Sequence, residues 1–233
     1  MMMSRERIFL LIGIVAFFGA LAGGYIWWRV YFSDTHFRVG SVPPELVNQL
    51  LPKNVPLESM RPPAVRTTDQ LRYGGATSVF SVIEFGDFQC EFCRQLAPEI
   101  RKALEPYDGM VRFVWRDFPI ENLHKQAMPA AIFARCAGAQ GKFWDTYDAL
   151  MASPKLDDAV YRQIATRVGL NTELLNTCRK DPNVEAVIRK DVEEAKADGV
   201  QSAPFLFIGT RAIDGFIDAQ AITDAIEASR AAL

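Results

Sequence analysis

Residues 79–98, VFSVIEFGDFQCEFCRQLAP, constrain this chain more than any other stretch. Val79, Val82, Ile83 and Phe85 make the apolar, β-branched run of a buried strand. Gly86-Asp87-Phe88-Gln89 reads as a turn, and Cys90-Glu91-Phe92-Cys93 as the opening of a helix. Two cysteines separated by two residues at a helix start are close enough to join reversibly in a disulfide. The unpaired N–H groups and the dipole at that helix start favour a thiolate on the first of them. Such a thiolate attacks a disulfide or departs as a leaving group, so the pattern points to thiol–disulfide exchange.

The rest of the chain has to support that chemistry. With 233 residues, 49% of them hydrophobic, it can bury a substantial core: one main domain plus appendages. A net charge of -2 gives no basic footprint for nucleic acid. The four cysteines are Cys90, Cys93, Cys136 and Cys178, and only the first two have CxxC spacing, so the paired knuckles of a four-thiolate zinc site are missing. Neither His36 nor His124 stands at ligand spacing to a cysteine. No metal and no cofactor are expected; the redox centre is the cysteine pair itself.

Residues 8–28 are apolar and uncharged, close to the ~20 residues that a helix needs to cross a bilayer. Arg5 and Arg7 precede them, and Tyr25, Trp27 and Trp28 stand where an aromatic belt meets the far headgroups. The expectation is a single N-terminal transmembrane helix within residues 1–29, anchored in a bacterial inner membrane. The rival is a signal peptide cleaved near Ala20-Leu21-Ala22, leaving a soluble protein. Both readings export the remainder to a compartment where disulfides persist. Residues 30–76 are proline-rich and read as a linker or spacer, with a dimerisation or docking segment as the alternative. Pro44 can start a short helix over residues 45–51. The Tyr73-Gly74-Gly75-Ala76 turn marks the start of the folded domain.

Beyond the cysteines, Leu96, Ile100 and Leu104 share one face of a helix that Pro98 should kink. Residues 110–118 alternate apolar with charged side chains, as a half-buried strand does. Residues 123–200 turn helical. Ala127, Ala130, Ala131, Ala134 and Ala137 form a small-residue surface, and Phe143, Trp144, Tyr147, Leu150 and Met151 an aromatic stripe read as core. Strand signal returns at residues 204–208 and 211–213, and an amphipathic helix closes the chain.

Four segments carry a resemblance: VIEFGDFQCEFC, LHKQAMPAAIFARCAGAQGKFWDTYDALM, VGLNTELLNTC and GVQSAPFLFIG. In this order they resemble the DsbA-like branch of the thioredoxin superfamily, especially its members with a second cysteine pair. The resemblance implies an α/β, thioredoxin-like domain over residues 77–233 with a helical insertion at approximately 121–199. It also implies roles. Cys90 attacks, Cys93 resolves, and Pro204, in a cis bond after Ala203, presents backbone to an extended substrate alongside Glu91 and Phe92. Glu84 matches a buried acid that relays protons, although strand alternation alone equally allows an outward-facing carboxylate. Cys136 and Cys178 match the second pair, expected as a structural disulfide, with a redox-sensing pair as the alternative. His124 and Lys125 read as a solvated loop near the site.

One departure bears on direction. Many relatives carry proline where this chain has Glu91, and a carboxylate beside Cys90 opposes the thiolate unless Arg94 and the helix dipole offset it. The expected function is disulfide exchange with exported cysteine-containing proteins, most simply as an oxidase that a membrane redox partner returns to the disulfide state. A reductase or isomerase is the alternative within the same chemistry. A tethered assembly or metallochaperone module is the alternative from another class, but no methionine cluster lies near the cysteines to support it.

Overall fold

The computed structural model describes residues 56–74, 78 and 80–231. The expected membrane anchor, the helix at 45–51 and His36 lie outside the described residues. Among the described residues, no helix is long and apolar enough to cross a membrane.

Branched and aromatic side chains crowd the stretch before the cysteines, and the chain extends there because such side chains suit a pleated surface. The result is a five-stranded sheet of Gln70–Arg72 (β1), Phe80–Gly86 (β2), Val111–Asp117 (β3), Phe205–Ile208 (β4) and Arg211–Asp214 (β5), in the order β1-β3-β2-β4-β5. Strands β2 and β3 run parallel, joined over one face by the helix Glu91–Leu104 (α1). Every other neighbouring pair is antiparallel. Pro98 sits exposed inside α1, which nevertheless runs unbroken from Glu91 to Leu104.

Both faces of β2 are covered, which is why its sequence lacks a clean polar alternation. Val82 faces the larger core with Trp115, Leu206 and the α1 residues Leu96 and Ile100. Ile83 and Phe85 face the other side with Val114, Phe205 and Phe207. Glu84, two residues after Val82, therefore points under α1 with the larger core.

Between β3 and β4 the chain forms the expected helical insertion: Ala127–Gly138 (α2), Phe143–Met151 (α3), Asp158–Val168 (α4), Thr172–Cys178 (α5) and Pro182–Ala197 (α6). Local chemistry sets the boundaries. The side chains of Asp157, Asn171 and Asp181 accept backbone N–H groups at the starts of α4, α5 and α6, and Gly169 ends α4 in the left-handed region at φ 71°. A disulfide between Cys136 and Cys178 joins α2 to α5 across 42 residues of sequence. The last helix, Ala219–Arg230 (α7), packs on α1.

Residues 56–72 depart from the spacer reading. Met60 is buried against Ile83 and Phe207, and β1 adds an edge strand beside β3. Arg66 and Asp69 enter a largely buried ionic network. Asp69 pairs with Arg116 at 2.8 Å, with both side chains 1% exposed, and Arg66 reaches Asp191 on α6 at 2.6 Å. Arg135 on α2 then bridges Asp191 and Asp117, each at 2.6 Å. The prolines that suggest a spacer leave residues 60–69 without helix or strand, yet the charges there fasten the segment to the sheet.

Asp69→Ala would leave the buried Arg116 guanidinium without its carboxylate, while Arg66 keeps Asp191 and Glu194. Breaking a buried pair in this way costs about 3–5 kcal/mol. Denaturant unfolding should show a loss of that size; a loss below about 1 kcal/mol would mean that residues 64–72 are not integral to the domain.

Candidate active site

The site forms where β2 ends and α1 begins. Gly86 is required there, because a Cβ at that position would fall 2.2 Å from the Trp115 ring. Asp87 then turns the chain: its Oδ1 accepts the Gln89 N–H at 2.8 Å, and its carbonyl accepts the Cys90 N–H at 3.1 Å. Cys90 is the N-cap of α1, in extended conformation, and its carbonyl accepts the Arg94 N–H.

The two thiols are free and differ in setting. Cys90 Sγ lies 3.4 Å from the Ala203 carbonyl, to which its protonated form donates, and the bond between Ala203 and Pro204 is cis. The expected cis-proline loop thus lies against the first cysteine. Gly215 N–H donates to the Pro204 carbonyl at 2.9 Å, and Ser202 Oγ donates to Asp214, which ties the loop to β5. Cys93, one turn into α1, is fully enclosed, and its Sγ accepts the Asp87 N–H at 3.4 Å.

Glu84 is fully buried, and neither of its carboxyl oxygens has a hydrogen-bond partner among the described residues; the same is true of the Tyr147 hydroxyl. Phe88, Trp115 and Tyr147 pack ring against ring around it, with centroids 4.7–5.8 Å apart. Burial in that apolar setting pushes the Glu84 carboxyl well above the usual carboxylate range, and the nearby Cys90 charge pushes it further. The neighbouring Tyr147 works against the rise. Burial therefore favours the protonated form of Glu84.

The sulfurs are driven apart. Cys90 is pulled down to about 6, chiefly by the hydrogen bond from Cys93 and then by the N–H groups of Cys93 and Phe92 at the helix start, against desolvation and the Asp87 charge. Cys93 is pushed well above the ordinary thiol value, chiefly by burial and by its donation to Cys90, with the Glu84 charge adding to the rise. One sulfur is a thiolate at neutral pH and the other remains a thiol.

Glu91 and Phe92 are exposed at the first turn of α1. The Glu91 carboxylate accepts Gln95 Nε2 at 3.1 Å along the outside of the helix, and the Cys90 thiol is depressed despite it. The hydrogen bond from Cys93, and after it the helix-start N–H groups, hold the thiol down. Arg94 turns back to the Gln89 carbonyl at 2.8 Å.

Sequence reasoning missed the role of the 120–126 loop. His124 is no solvated bystander: its Nδ1 lies 2.8 Å from Asp87 Oδ2, which also accepts the Ile120 N–H at 2.9 Å. Gln126 N–H donates to Gln89 Oε1 at 2.6 Å, and Tyr161 donates to Gln126 Oε1 at 3.0 Å. The available signal was Asp87 itself, an acid placed at the buried end of a core strand. Phe92, Leu123 and Phe216 are large, exposed apolar side chains; Leu123 precedes His124, which meets Asp87, and Phe216 follows Gly215, which meets Pro204. Cys136 and Cys178 stay apart from this site, in their own disulfide.

Comparison with known proteins agrees with the fold. A family model described as thioredoxin matches residues 66–228. A thioredoxin-like oxidoreductase from Silicibacter pomeroyi DSS-3 superposes with a TM-score of 0.65 at 29% identity, covering 72% of this chain and 95% of that one. The thiol-disulfide exchange protein alpha-DsbA2 from Wolbachia pipientis gives 0.62 at 23% identity, covering 70% and 87%. Among curated proteins, the Na(+)/H(+) antiporter NhaA 1 of Salinispora arenicola is 32% identical over 147 residues, covering 63% of this chain and 22% of the antiporter. The chain thus spans about a fifth of the length of the curated relatives it matches.

Titration of the reduced protein by thiolate absorbance should show a single thiolate with a midpoint near pH 6. Because the folded Cys90 lies below an unfolded value near 9, its charge stabilises the reduced fold fully above pH 9, and that gain is lost as pH falls through 6. The stability of the reduced form relative to the disulfide form should therefore shrink as pH falls from 9 through 6. A first midpoint at 8 or above would contradict the geometry.

Proposed function

The chain belongs to the thioredoxin family, and on that premise we propose that it is a thiol–disulfide oxidoreductase acting through Cys90–Cys93 as an oxidant of exported proteins. The observation that carries this reading is the division of labour between the sulfurs, a stabilised thiolate at Cys90 and a sealed thiol at Cys93.

The steps balance as follows. A substrate thiolate attacks Cys90 Sγ of the oxidised pair, a bond forms between them, and the Cys90–Cys93 bond breaks with its electron pair on Cys93. Glu84, protonated beneath the site, can supply the proton that Cys93 then holds. A second substrate thiolate attacks the substrate sulfur of the mixed disulfide and expels Cys90 as a thiolate. A low thiol pKa makes Cys90 a good leaving group, and a stabilised reduced form makes the disulfide a stronger oxidant. The protein ends as a dithiol, so an oxidant must remove two electrons; a membrane redox partner is the proposed acceptor.

Substrate recognition fits the same geometry. An extended chain can lie along the backbone at Ala203 and Pro204, with Glu91 and Phe92 at its flank and Leu123 and Phe216 as apolar ground. Residues 1–29 would hold the domain on the extracytoplasmic side of the membrane, consistent with the Cys136–Cys178 disulfide.

Cys93→Ala should accumulate mixed disulfides on Cys90 in cells, released by dithiothreitol and missing when Cys90→Ala is added; an empty trap would sink the proposal. Glu84→Gln keeps the group neutral but removes its proton. Substrate oxidation should slow by roughly 10-fold or more, less than the ~10²-fold common for general acids because a thiolate leaves readily.

A further inference from the structure

The turn before the cysteines holds a buried charge that the mechanism above does not use. Asp87 is 1% exposed, and its carboxylate is held by three donors: the backbone N–H groups of Gln89 and Ile120 and the imidazole of His124. Its own backbone N–H serves the Cys93 sulfur, so carboxylate and sulfurs sit in one hydrogen-bonded cluster. We propose that His124 is a positioning residue for the Cys90 nucleophile, acting through Asp87: its donated N–H offsets a buried carboxylate that opposes the thiolate. The inference rests on the reading of Cys90 as the attacking sulfur and adds a residue that no contact with substrate would reveal.

Three observations support it. The Asp87 charge acts on Cys90 in the unfavourable direction. Ile120 and His124 approach Asp87 from the loop after β3, so the imidazole is held by a different part of the chain from the cysteines. That loop is fastened at its other end by Gln126, through Gln89 on one side and Tyr161 of α4 on the other. His124 is thus carried by the insertion and applied to the turn that presents Cys90.

The charged and titratable groups around Cys90 leave His124 in this role. Cys93, Glu91 and Arg94 belong to its own helix; Glu91 is bonded outward to Gln95 and Arg94 to the Gln89 carbonyl. Glu84 lies on β2, and Asp87 on the turn. On the 120–126 loop, Glu121 pairs with Arg189 of α6, and Lys125 is exposed. Among the described residues, His124 is the side chain that hydrogen-bonds the Asp87 carboxylate.

The test is a pH titration of thiolate absorbance in the reduced, full-length protein, which reads Cys90 whether or not the protein oxidises any substrate. His124→Leu removes the donor and should raise the Cys90 midpoint by about half a unit or more. His124→Asn, whose amide can donate near the Nδ1 position, should stay close to wild type. Asp87→Asn should lower the midpoint, and on that background His124→Leu should have no further effect. Should His124→Leu fail to fold, His124→Ala takes its place in the cycle. An unchanged or lowered midpoint in the donor-less variant, or a shift that persists with Asp87→Asn, overturns the proposal.

Discussion

The site depends on the unequal settings of two buried sulfurs only one helical turn apart. Cys93 lies wholly inside the core beneath α1, where a thiolate would be desolvated, so it keeps its proton and gives it as a hydrogen bond to Cys90. Cys90 caps the helix and receives that bond together with the orphan N–H groups of the first turn. Together these effects separate the two thiols before any substrate arrives.

The surrounding fold maintains that inequality. Strand β2 is covered on both faces, so Glu84 is buried beside Trp115 and Tyr147, where desolvation favours its protonated form. The sheet also brings β4 alongside β2, which places the Ala203 carbonyl against Cys90 although 113 residues separate them in sequence. The Asp69–Arg116 pair and its neighbours hold the chain ahead of β2 across the opposite face of this sheet.

Much of this was legible from residue types and spacing. The β-branched run, the turn and the CxxC helix start predicted β2, α1 and their junction because each signal is local. The helical character of residues 123–200 was legible from their apolar spacing, whereas the Asp157 and Asn171 caps that set the starts of α4 and α5 emerge only in the fold. Less was legible where the deciding partner is distant. Glu84 could point either way, since alternation carries no information once both faces are buried. His124 read as loop because Asp87 lies 37 residues earlier. Residues 56–72 read as a spacer because prolines dominate the local signal, while Arg66 and Asp69 find Asp191 and Arg116 only in the folded chain.

Equilibration of the Cys90–Cys93 pair with glutathione buffers tests the central claim most directly, because it weighs the stabilised thiolate against the disulfide. Thioredoxin, with a nucleophile near pKa 7, lies at about −270 mV, and one pKa unit corresponds to roughly 30 mV for a two-electron couple. A nucleophile at about 6 predicts a potential of roughly −240 mV or less negative. A value at about −270 mV or below would contradict the account and assign the pair to reduction.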